Sequence, residues 1–338
     1  MNRLAWAVGL GLAATGAPAA ALDPEVTLSG AFGASLSWFE SSSDTGSFSD
    51  VDLENNASNF RISAAASEIG LRAFIAYERG ASNDQVGVED VREFFGGVSG
   101  AWGTVLYGRK ATDYRLAGAR LDPFYNTSLA GHNGRFASEG GSYGLSNYTN
   151  GFTSNTIAVR STAWQGFLAN GAAYVNDNDS QSAGGDEADY ALGAEFSRSE
   201  WWNLEVGLQA LDVNGRVVAN APGEGQAYRA HGSIGQGLWA AGASWELVDV
   251  DTEADPRQYG FVAASYQLLE ALRLAAAYGH VGNSPSFDGN GVTLGLFYEL
   301  TRNLTLYGGA RHVTLDNAVA EDDTTAAAGA RFVFEVGL

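Results

Sequence analysis

Apolar positions alternate with small or polar positions along the segment from Val26 to Trp38. Every second residue is apolar or glycine over these thirteen residues. A period of two predicts a β-strand, and this strand is longer than the usual globular strand of about 5–6 residues. A tilted strand that crosses a membrane needs about 9–11 residues. The pattern therefore predicts a strand long enough to span a lipid bilayer.

The same alternation returns along the chain, and the connections between the predicted strands differ regularly in length. Further alternating segments begin at Ile69, Tyr190, Leu204, Trp239, Tyr259, Leu272, Val292, Leu304 and Ala326. Short connections such as 67–68 and 236–237 alternate with long, acidic connections such as 40–58 and 314–324. Counting strands between these connections predicts sixteen, provided that residues 110–154 form one loop. An extra strand there would break the alternation of short and long connections.

This arrangement predicts an all-β fold, a sixteen-stranded antiparallel transmembrane β-barrel. An even number of strands, with short turns at one end and long loops at the other, is typical of outer-membrane barrels. Closure of the barrel pairs the backbone groups that lipid cannot satisfy. Aromatic residues near strand ends, such as Trp102 and Tyr298, fit the girdles found at membrane interfaces. The alternative is a soluble β-sandwich, whose strands would be shorter and whose loops would not sort by length.

Composition and charge restrict the class of protein further. The chain has 338 residues, no cysteine and a net charge of −20. The absence of cysteine excludes disulfides and thiolate metal sites. A strongly acidic chain lacks the basic surface that nucleic-acid binding requires, so we expect no nucleic-acid partner.

Residues 1–21 have the pattern of a secretory signal peptide. Arg3 supplies the positive start, residues 4–14 form an apolar stretch, and residues 19–21 are three alanines suited to cleavage. We therefore expect an exported protein whose barrel domain comprises residues 22–338. The location predicted for it from the barrel pattern is an outer membrane.

Several short motifs resemble one family of membrane channels. They are residues 59–62 (NFRI), 70–74 (GLRAF), 95–100 (FGGVSG), 102–105 (WGTV), 108–110 (GRK), 122–124 (DPF) and 155–167 (NTIAVRSTAWQGF). Together they resemble the general porins of Gram-negative bacteria, which are sixteen-stranded trimers. The resemblance extends over most of the chain after the predicted signal peptide.

The resemblance implies a water-filled channel for passive diffusion of small hydrophilic solutes and ions. It also implies a homotrimer, in contact with outer-membrane lipid and lipopolysaccharide. In the family, the long third loop folds inward and narrows the pore, and here that loop is about residues 111–154. Two residues depart from the family pattern. The chain ends in Leu338 instead of phenylalanine, and Phe152 stands where many relatives carry arginine, so we expect a less basic or wider constriction.

Charged residues on the predicted strands and loop are the candidates for the pore constriction. Strand phase predicts inward-facing arginines on the wall, because a charge facing lipid at mid-bilayer costs about 2–4 kcal/mol. On the strand at 104–109, this prediction puts Leu106 and Gly108 toward lipid. The basic candidates are Arg61, Arg72, Arg109 and Arg160, and the acidic candidates on the loop are Asp113, Asp122 and Glu139.

Opposed wall arginines and loop carboxylates would set up a transverse field that selects ions and orients polar solutes. Two alternatives stay open. Arg72 and Glu78 could pair only with neighbouring wall residues. Asp122, which precedes Pro123, could fix a turn through its side chain. The acidic loops, taken together, predict a modest preference for cations.

Three weak candidates for calcium binding lie in one acidic loop. The candidates are Asp249, Asp251 and Asp255, which alternate there together with Glu253, and oxygen-rich loops can bind calcium. The spacing of an EF-hand is missing, so a solvated acidic loop is the favoured interpretation. We expect no other cofactor.

An enzyme is not expected from this sequence. The four histidines lie in unrelated segments, and no G-x-S-x-G, H-E-x-x-H or P-loop motif occurs. An outer-membrane hydrolase could still assemble serine and histidine on a barrel face. A substrate-specific channel, or a plugged barrel with an adhesive or structural role, is the non-enzyme alternative.

Overall fold

The computed structural model describes residues 24–43, 46–80, 91–131, 143–146, 148, 151–175, 188–199, 202–214, 223–284, 288–316 and 322–338. The predicted signal peptide, residues 1–21, lies outside the described residues. Seventeen strands and one helix form within them. In this part of the chain, no helix is both long and apolar enough to cross a membrane.

Strands occupy nearly all of the described chain. They are β1 (Glu25–Ser43), β2 (Gly46–Asn55), β3 (Asn59–Glu68), β4 (Leu71–Gly80), β5 (Val91–Gly100), β6 (Gly103–Lys110), β7 (Thr153–Ser161), β8 (Phe167–Tyr174), β9 (Asp189–Arg198), β10 (Asn203–Val213), β11 (Gly225–Gln236), β12 (Trp239–Val250), β13 (Arg257–Leu269), β14 (Leu272–Gly282), β15 (Asp288–Thr301), β16 (Leu304–Asp316) and β17 (Asp322–Gly337). Helix α1 (Asp113–Ala119) lies between β6 and β7.

The strands close into an antiparallel barrel of sixteen wall strands, as predicted. β2 and β3 both pair with β1, and they lie on either side of residues 56–58. They are therefore two parts of one wall strand. The interruption is held by the Asn56 backbone N–H, which donates to the Gly33 carbonyl at 3.0 Å. β1 also pairs with β17 over residues 27–42, which closes the barrel.

The two faces of the wall differ in polarity because successive side chains point to opposite sides of a strand. One face presents exposed apolar side chains, among them Phe32, Leu192 and Leu208, which are 61%, 68% and 65% exposed. In an outer-membrane barrel this apolar face meets lipid. The opposite, inner face carries charged side chains such as Arg61 and Glu246, together with apolar side chains that pack against the loop.

Tight turns connect strands at one end of the barrel. At the β3–β4 turn, Ile69 and Gly70 have φ values of 53° and 75°. Two consecutive residues with positive φ form the turn whose twist matches that of a β-hairpin. Gln165 and Gly166 repeat this arrangement near the β7–β8 turn, with φ values of 50° and 88°.

The chain between β6 and β7 packs against the inner face of the barrel. Its described residues include deeply buried aromatic and aliphatic side chains, and these cluster with wall residues of strands from β8 to β17. The buried side chains of this segment are Tyr114, Leu121, Phe124, Leu129, Tyr143, Leu145 and Tyr148. The barrel therefore has its apolar core on one side of the interior, between its own loop and the wall.

Candidate functional site

The loop begins at a capped helix directly after β6. The Thr112 side chain accepts a hydrogen bond from the Arg115 N–H at 3.0 Å, which caps α1. Asp113 lies in the first turn of α1, and its carboxylate is 3.4 Å from Lys110 Nζ. The predicted acidic candidate Asp113 is therefore paired at the start of the loop.

A buried ion pair on the inner wall of the barrel binds Tyr114 of α1. The Tyr114 hydroxyl donates to Glu246 Oε1 at 2.7 Å, and Arg229 Nη2 lies 2.8 Å from Glu246 Oε2. Arg229 Nη1 donates to the Tyr114 carbonyl at 2.6 Å. The Ser146 hydroxyl also donates to Glu246. These bonds compensate both charges in a site without solvent and join α1, residue 146 and the wall.

Asp122 fixes a turn within the loop. Its carboxylate accepts hydrogen bonds from the backbone N–H groups of Phe124 at 2.8 Å and Gly131 at 2.6 Å. Only 5% of Asp122 is exposed, and burial raises the pKa of its carboxyl group to about 6. Asp122 was a candidate for the acidic side of the constriction, and its geometry is that of the alternative, a turn held by the side chain.

Tyr143 fastens the later part of the loop to the wall. Its backbone and ring lie against Gly279 and Gly291, and its hydroxyl is hydrogen-bonded to Thr293. Arg311 Nη1 donates to the Ala130 carbonyl at 3.1 Å, which holds a second point of the loop.

A charged cluster lies on the inner face of β3, β4 and β5. Arg61 Nη1 contacts Glu93 at 2.5 Å and Glu78 at 3.4 Å, and the guanidinium lies over the Phe95 ring. Arg92 Nη1 lies 3.8 Å from Glu78. Arg61 faces inward, in the phase that the sequence predicts.

The Phe152 ring lies close to two arginines of this region. The Arg115 guanidinium lies 4.0 Å from the centre of the Phe152 ring, and that of Arg92 lies 5.8 Å from it. Arg115 also donates to the Tyr125 hydroxyl at 2.9 Å. Phe152 stands where many relatives carry arginine, but two other arginines lie over its ring. Positive charge is therefore still present at this place.

A second charged cluster lies beyond the C-terminal end of α1. Arg160 Nη2 is 3.5 Å from Glu195, and Arg120 is 2.8 Å from Glu195 and 3.1 Å from Glu205. Arg160 faces inward as predicted, and 47% of its side chain is exposed. The Arg120 and Arg160 side chains are exposed enough to meet solutes in the lumen.

Arg72 and Glu139 complete the candidates and lie apart from both clusters. Arg72 is exposed near the short-turn end of β4, where it opposes Ser67 on β3 and Ser99 on β5. Glu139 lies outside the described residues.

The predicted phase of β6 is wrong. Tyr107 opposes Ile157 and Val105 opposes Val159, and all four side chains are at least 41% exposed on the outer face. Leu106 and Gly108 therefore point inward. The wrong phase arose because Tyr107 was counted with the polar positions.

Arg109 was placed on the inner wall by that phase, and the structure corrects its position. It opposes the exposed Phe94 in the register of β5, at an irregularity in the pairing with β7. Its guanidinium donates to the Val91 carbonyl at 2.8 Å and to the Ser154 hydroxyl at 2.9 Å. Arg109 thus binds groups at the ends of the two neighbouring strands.

Several arginines that the sequence did not single out bind the wall or the loop, and Arg92 and Arg115 show why. Arg92 lies where the β4–β5 register shifts, and such a bulge redirects a side chain against the period-two pattern. Arg115 comes from a helix, where strand periodicity has no meaning. In the second cluster, the loop arginine Arg120 lies beside the wall carboxylates of Glu195 and Glu205. The predicted division into a basic wall and an acidic loop is not what the described residues present.

Metal binding has no support from a cluster of ligands. Among the described residues, no group of three or more His, Cys, Asp or Glu side chains is placed to hold a metal ion. Asp249, Asp251 and Asp255 are exposed around the start of the β12–β13 connection. Calcium binding by these three residues stays a prediction.

These features together define a class of protein. An antiparallel barrel with an apolar exterior spans a membrane, since lipid leaves no other way to satisfy the backbone of a sheet. A polar, charged inner wall partly covered by the protein's own loop is the interior of a water-filled channel. The molecule is an outer-membrane β-barrel channel for passive diffusion.

Comparison with known proteins identifies the family within this class. The sequence model described as Gram-negative porin matches residues 5–318. The chain belongs to the Gram-negative porin family. No curated protein sequence matches it significantly.

Solved porin structures share the fold at low sequence identity. The anion-selective porin from Comamonas acidovorans has a TM-score of 0.69 at 16% identity, over 92% of this chain and 100% of that one. The OmpF complex with daunomycin from Salmonella typhi gives 0.62 at 15%, over 91% and 97%. The trimer form of the outer-membrane protein OmpT from Vibrio cholerae gives 0.60 at 14%, over 92% and 99%.

Proposed function

We propose that residues 111–154 form the constriction of this channel and set an upper size for the solutes that diffuse through it. The single observation that carries the proposal is the attachment of this loop to the inner wall by Tyr114, Tyr143 and the Glu246 carboxylate. A segment held across the interior reduces the open cross-section. The charged clusters around Arg61 and Glu195 then border the remaining passage.

Liposome swelling with sugars of increasing size tests the proposed constriction. The full chain should admit small sugars and exclude larger ones. The variant Tyr114→Ala with Tyr143→Ala, which detaches the loop from the wall, should admit larger sugars. An unchanged size limit in this variant contradicts the proposal.

We also propose a modest preference for cations. The net charge of −20 supports it, as do the wall carboxylates Glu78, Glu93, Glu195 and Glu205 beside the passage. Arginines stand against these carboxylates, and one similar structure is described as anion-selective. The reversal potential of the channel in a planar bilayer under a salt gradient distinguishes a preference for cations from one for anions. A reversal potential with the sign of an anion-selective channel overturns the proposed preference.

A homotrimer is the proposed assembly, with outer-membrane lipid and lipopolysaccharide around it. The support is the family, together with the trimer form of the OmpT structure. Light scattering with correction for bound detergent should give three chains per particle. An unheated gel should show a band that dissociates on heating, and a particle of one chain contradicts this assembly.

The proposed activity is diffusion without catalysis. The porin family and the barrel fold support a channel over a hydrolase. Stepwise conductance in a bilayer without lipase or protease turnover is the expected result. A substrate-specific channel would instead show saturable, solute-dependent block, and a plugged adhesive barrel would show no conductance.

The predicted weak calcium site is tested by titration calorimetry with calcium. The unchanged protein is compared with the variant Asp249→Asn with Asp251→Asn.

A further inference from the structure

A shallow apolar groove crosses the outer face of β10 to β15. Its volume is about 710 Å³. The floor is a row of small side chains, Ala241, Ala264 and Ala276, which oppose one another directly on three neighbouring strands. Ile234 and Val292 are among the larger residues that border it. Six strands spaced about 4.8 Å apart give the groove a length of about 24 Å, the shape that an extended hydrocarbon chain fills.

One end of the groove continues into a second depression with a different chemistry. This depression, about 520 Å³, is lined by Arg198 and Trp202 and shares Leu204 and Ile234 with the groove. Arg198 opposes Leu204 in the β9–β10 register and is exposed on the outer face. The continuous site is therefore cationic at one end and apolar along the rest.

The cationic end lies at the depth of a lipid headgroup. Arg198 ends β9 and Trp202 precedes β10, so both lie beside a short connection. The Trp202 and Trp239 rings are 5.8 Å apart at this level, as in an interfacial aromatic girdle. Short connections mark the periplasmic side of an outer-membrane barrel. The groove then runs from this interface into the hydrocarbon layer.

We propose that this site binds one glycerophospholipid of the periplasmic leaflet. The Arg198 guanidinium binds the phosphate, since its fork of N–H donors matches phosphate oxygens. Trp202 lies beside the headgroup, and an acyl chain occupies the groove over Ala264. A second copy of this chain is a poorer occupant, because an apolar subunit contact has no use for an exposed arginine at its edge. The inference rests on the outer-membrane location and is independent of the ion preference.

Native mass spectrometry of the detergent-purified protein, titrated with phosphatidylglycerol, tests the site. The first variant, Arg198→Gln, removes the cation, and the second, Ala264→Phe, fills the groove. Arg198→Gln should weaken the tightest lipid-binding event about tenfold, the loss expected for a charge-assisted contact. Ala264→Phe should weaken the same event because its ring occupies the place of the acyl chain. The matched controls are Arg302→Gln, at another short connection, and Ala169→Phe, on the outer face of β8. Both controls should bind as the unchanged protein does.

Several outcomes would overturn the assignment. These are unchanged binding in both test variants, equal losses in the two controls, or equally tight binding of diacylglycerol, which has no phosphate. A change in oligomer size caused by Ala264→Phe would assign the groove to a neighbouring subunit instead. Single-channel conductance should be the same in all four variants. If the unchanged protein shows no conductance, the proposed channel is contradicted, but the lipid-binding site is not.

Discussion

Arg229 on β11 and Glu246 on β12 form an ion pair with no exposed side-chain surface, 2.8 Å between Nη2 and Oε2. The pair lies beneath α1, and the Tyr114 hydroxyl donates to the same carboxylate. A buried ion pair contributes little net stability to the folded protein. Removing one partner is strongly destabilising, because the other charge is then buried without a counter-charge. The arrangement of this pair ties the position of the loop to the stability of the wall.

Glu246→Gln should therefore destabilise the protein and loosen the loop. Breaking a buried pair costs about 3–5 kcal/mol in the free energy of unfolding, because the remaining charge loses its counter-charge. Denaturant unfolding measures the loss, and single-channel recording should reveal larger, more variable conductance steps. Glu205→Gln is the control, since its pair with the part-exposed Arg120 should cost less than about 1 kcal/mol. Equal losses in both variants would contradict a special role for the buried pair.

Gly291→Ala should displace Tyr143 from the wall. A β-carbon at residue 291 would overlap Cδ2 and Cγ of the Tyr143 ring, so neither side could remain in place. Overpacking of this kind costs about 1–3 kcal/mol. The free energy of unfolding should fall by this amount, and the single-channel conductance should change because the loop moves. Gly260→Ala is the matched control, because its β-carbon would be 4.0 Å from the nearest atom, in His280, and it should leave both measurements unaltered.

Stability should fall as the pH rises past the range where Asp122 titrates. Burial raises the pKa of this carboxyl group to about 6, above about 3.9 in an unfolded chain. The folded state then holds more protons between these values, so its stability is full below about pH 4 and declines as pH rises to about 6. Melting temperatures across this range should show the decline. In Asp122→Asn it should vanish, whereas in the exposed Asp52→Asn it should persist.

Arg61→Gln should make the channel more cation-selective. Removing this guanidinium leaves the Glu78 and Glu93 carboxylates without the charge that contacts both. A unit charge about 10 Å from a passing ion in water changes its energy by about 0.4 kcal/mol, about twofold in relative occupancy. The reversal potential in a salt gradient should shift toward the cation limit. Arg302→Gln, outside the lumen, should produce no shift, and a shift toward anions for Arg61→Gln would refute the electrostatic argument.

The wall of the barrel can be predicted from the sequence because period-two alternation determines which face each strand residue occupies. This holds for Arg61 and Arg160, which face inward as predicted. It fails at Arg109, because its strand was given the wrong phase when Tyr107 was counted with the polar positions. It also gives no information about Arg92, which lies at a bulge in the β4–β5 pairing. A bulge inserts a residue and reverses the phase of the residues after it, and nothing in the alternation records it.

The loop can be predicted from the sequence in location but not in shape. The regular alternation of short and long connections indicates that residues 110–154 form a single loop. Which of its carboxylates is buried depends on contacts between distant residues, such as Asp122 with Gly131 or Tyr114 with Glu246. Local periodicity carries no information about such contacts. The charged groups beside the passage were therefore only partly foreseeable.

The seam between β1 and β17 has a consequence for how the barrel forms. The first and last described strands pair over sixteen positions, from Thr27 with Gly337 to Ser42 with Asp322. Loop closure on this scale makes the pairing slow to find, and both strands expose unpaired edges until it forms. A folding intermediate in which this seam is still open would be a sheet prone to joining another copy. Assembly of the channel is thus committed only when the two ends of the barrel wall meet.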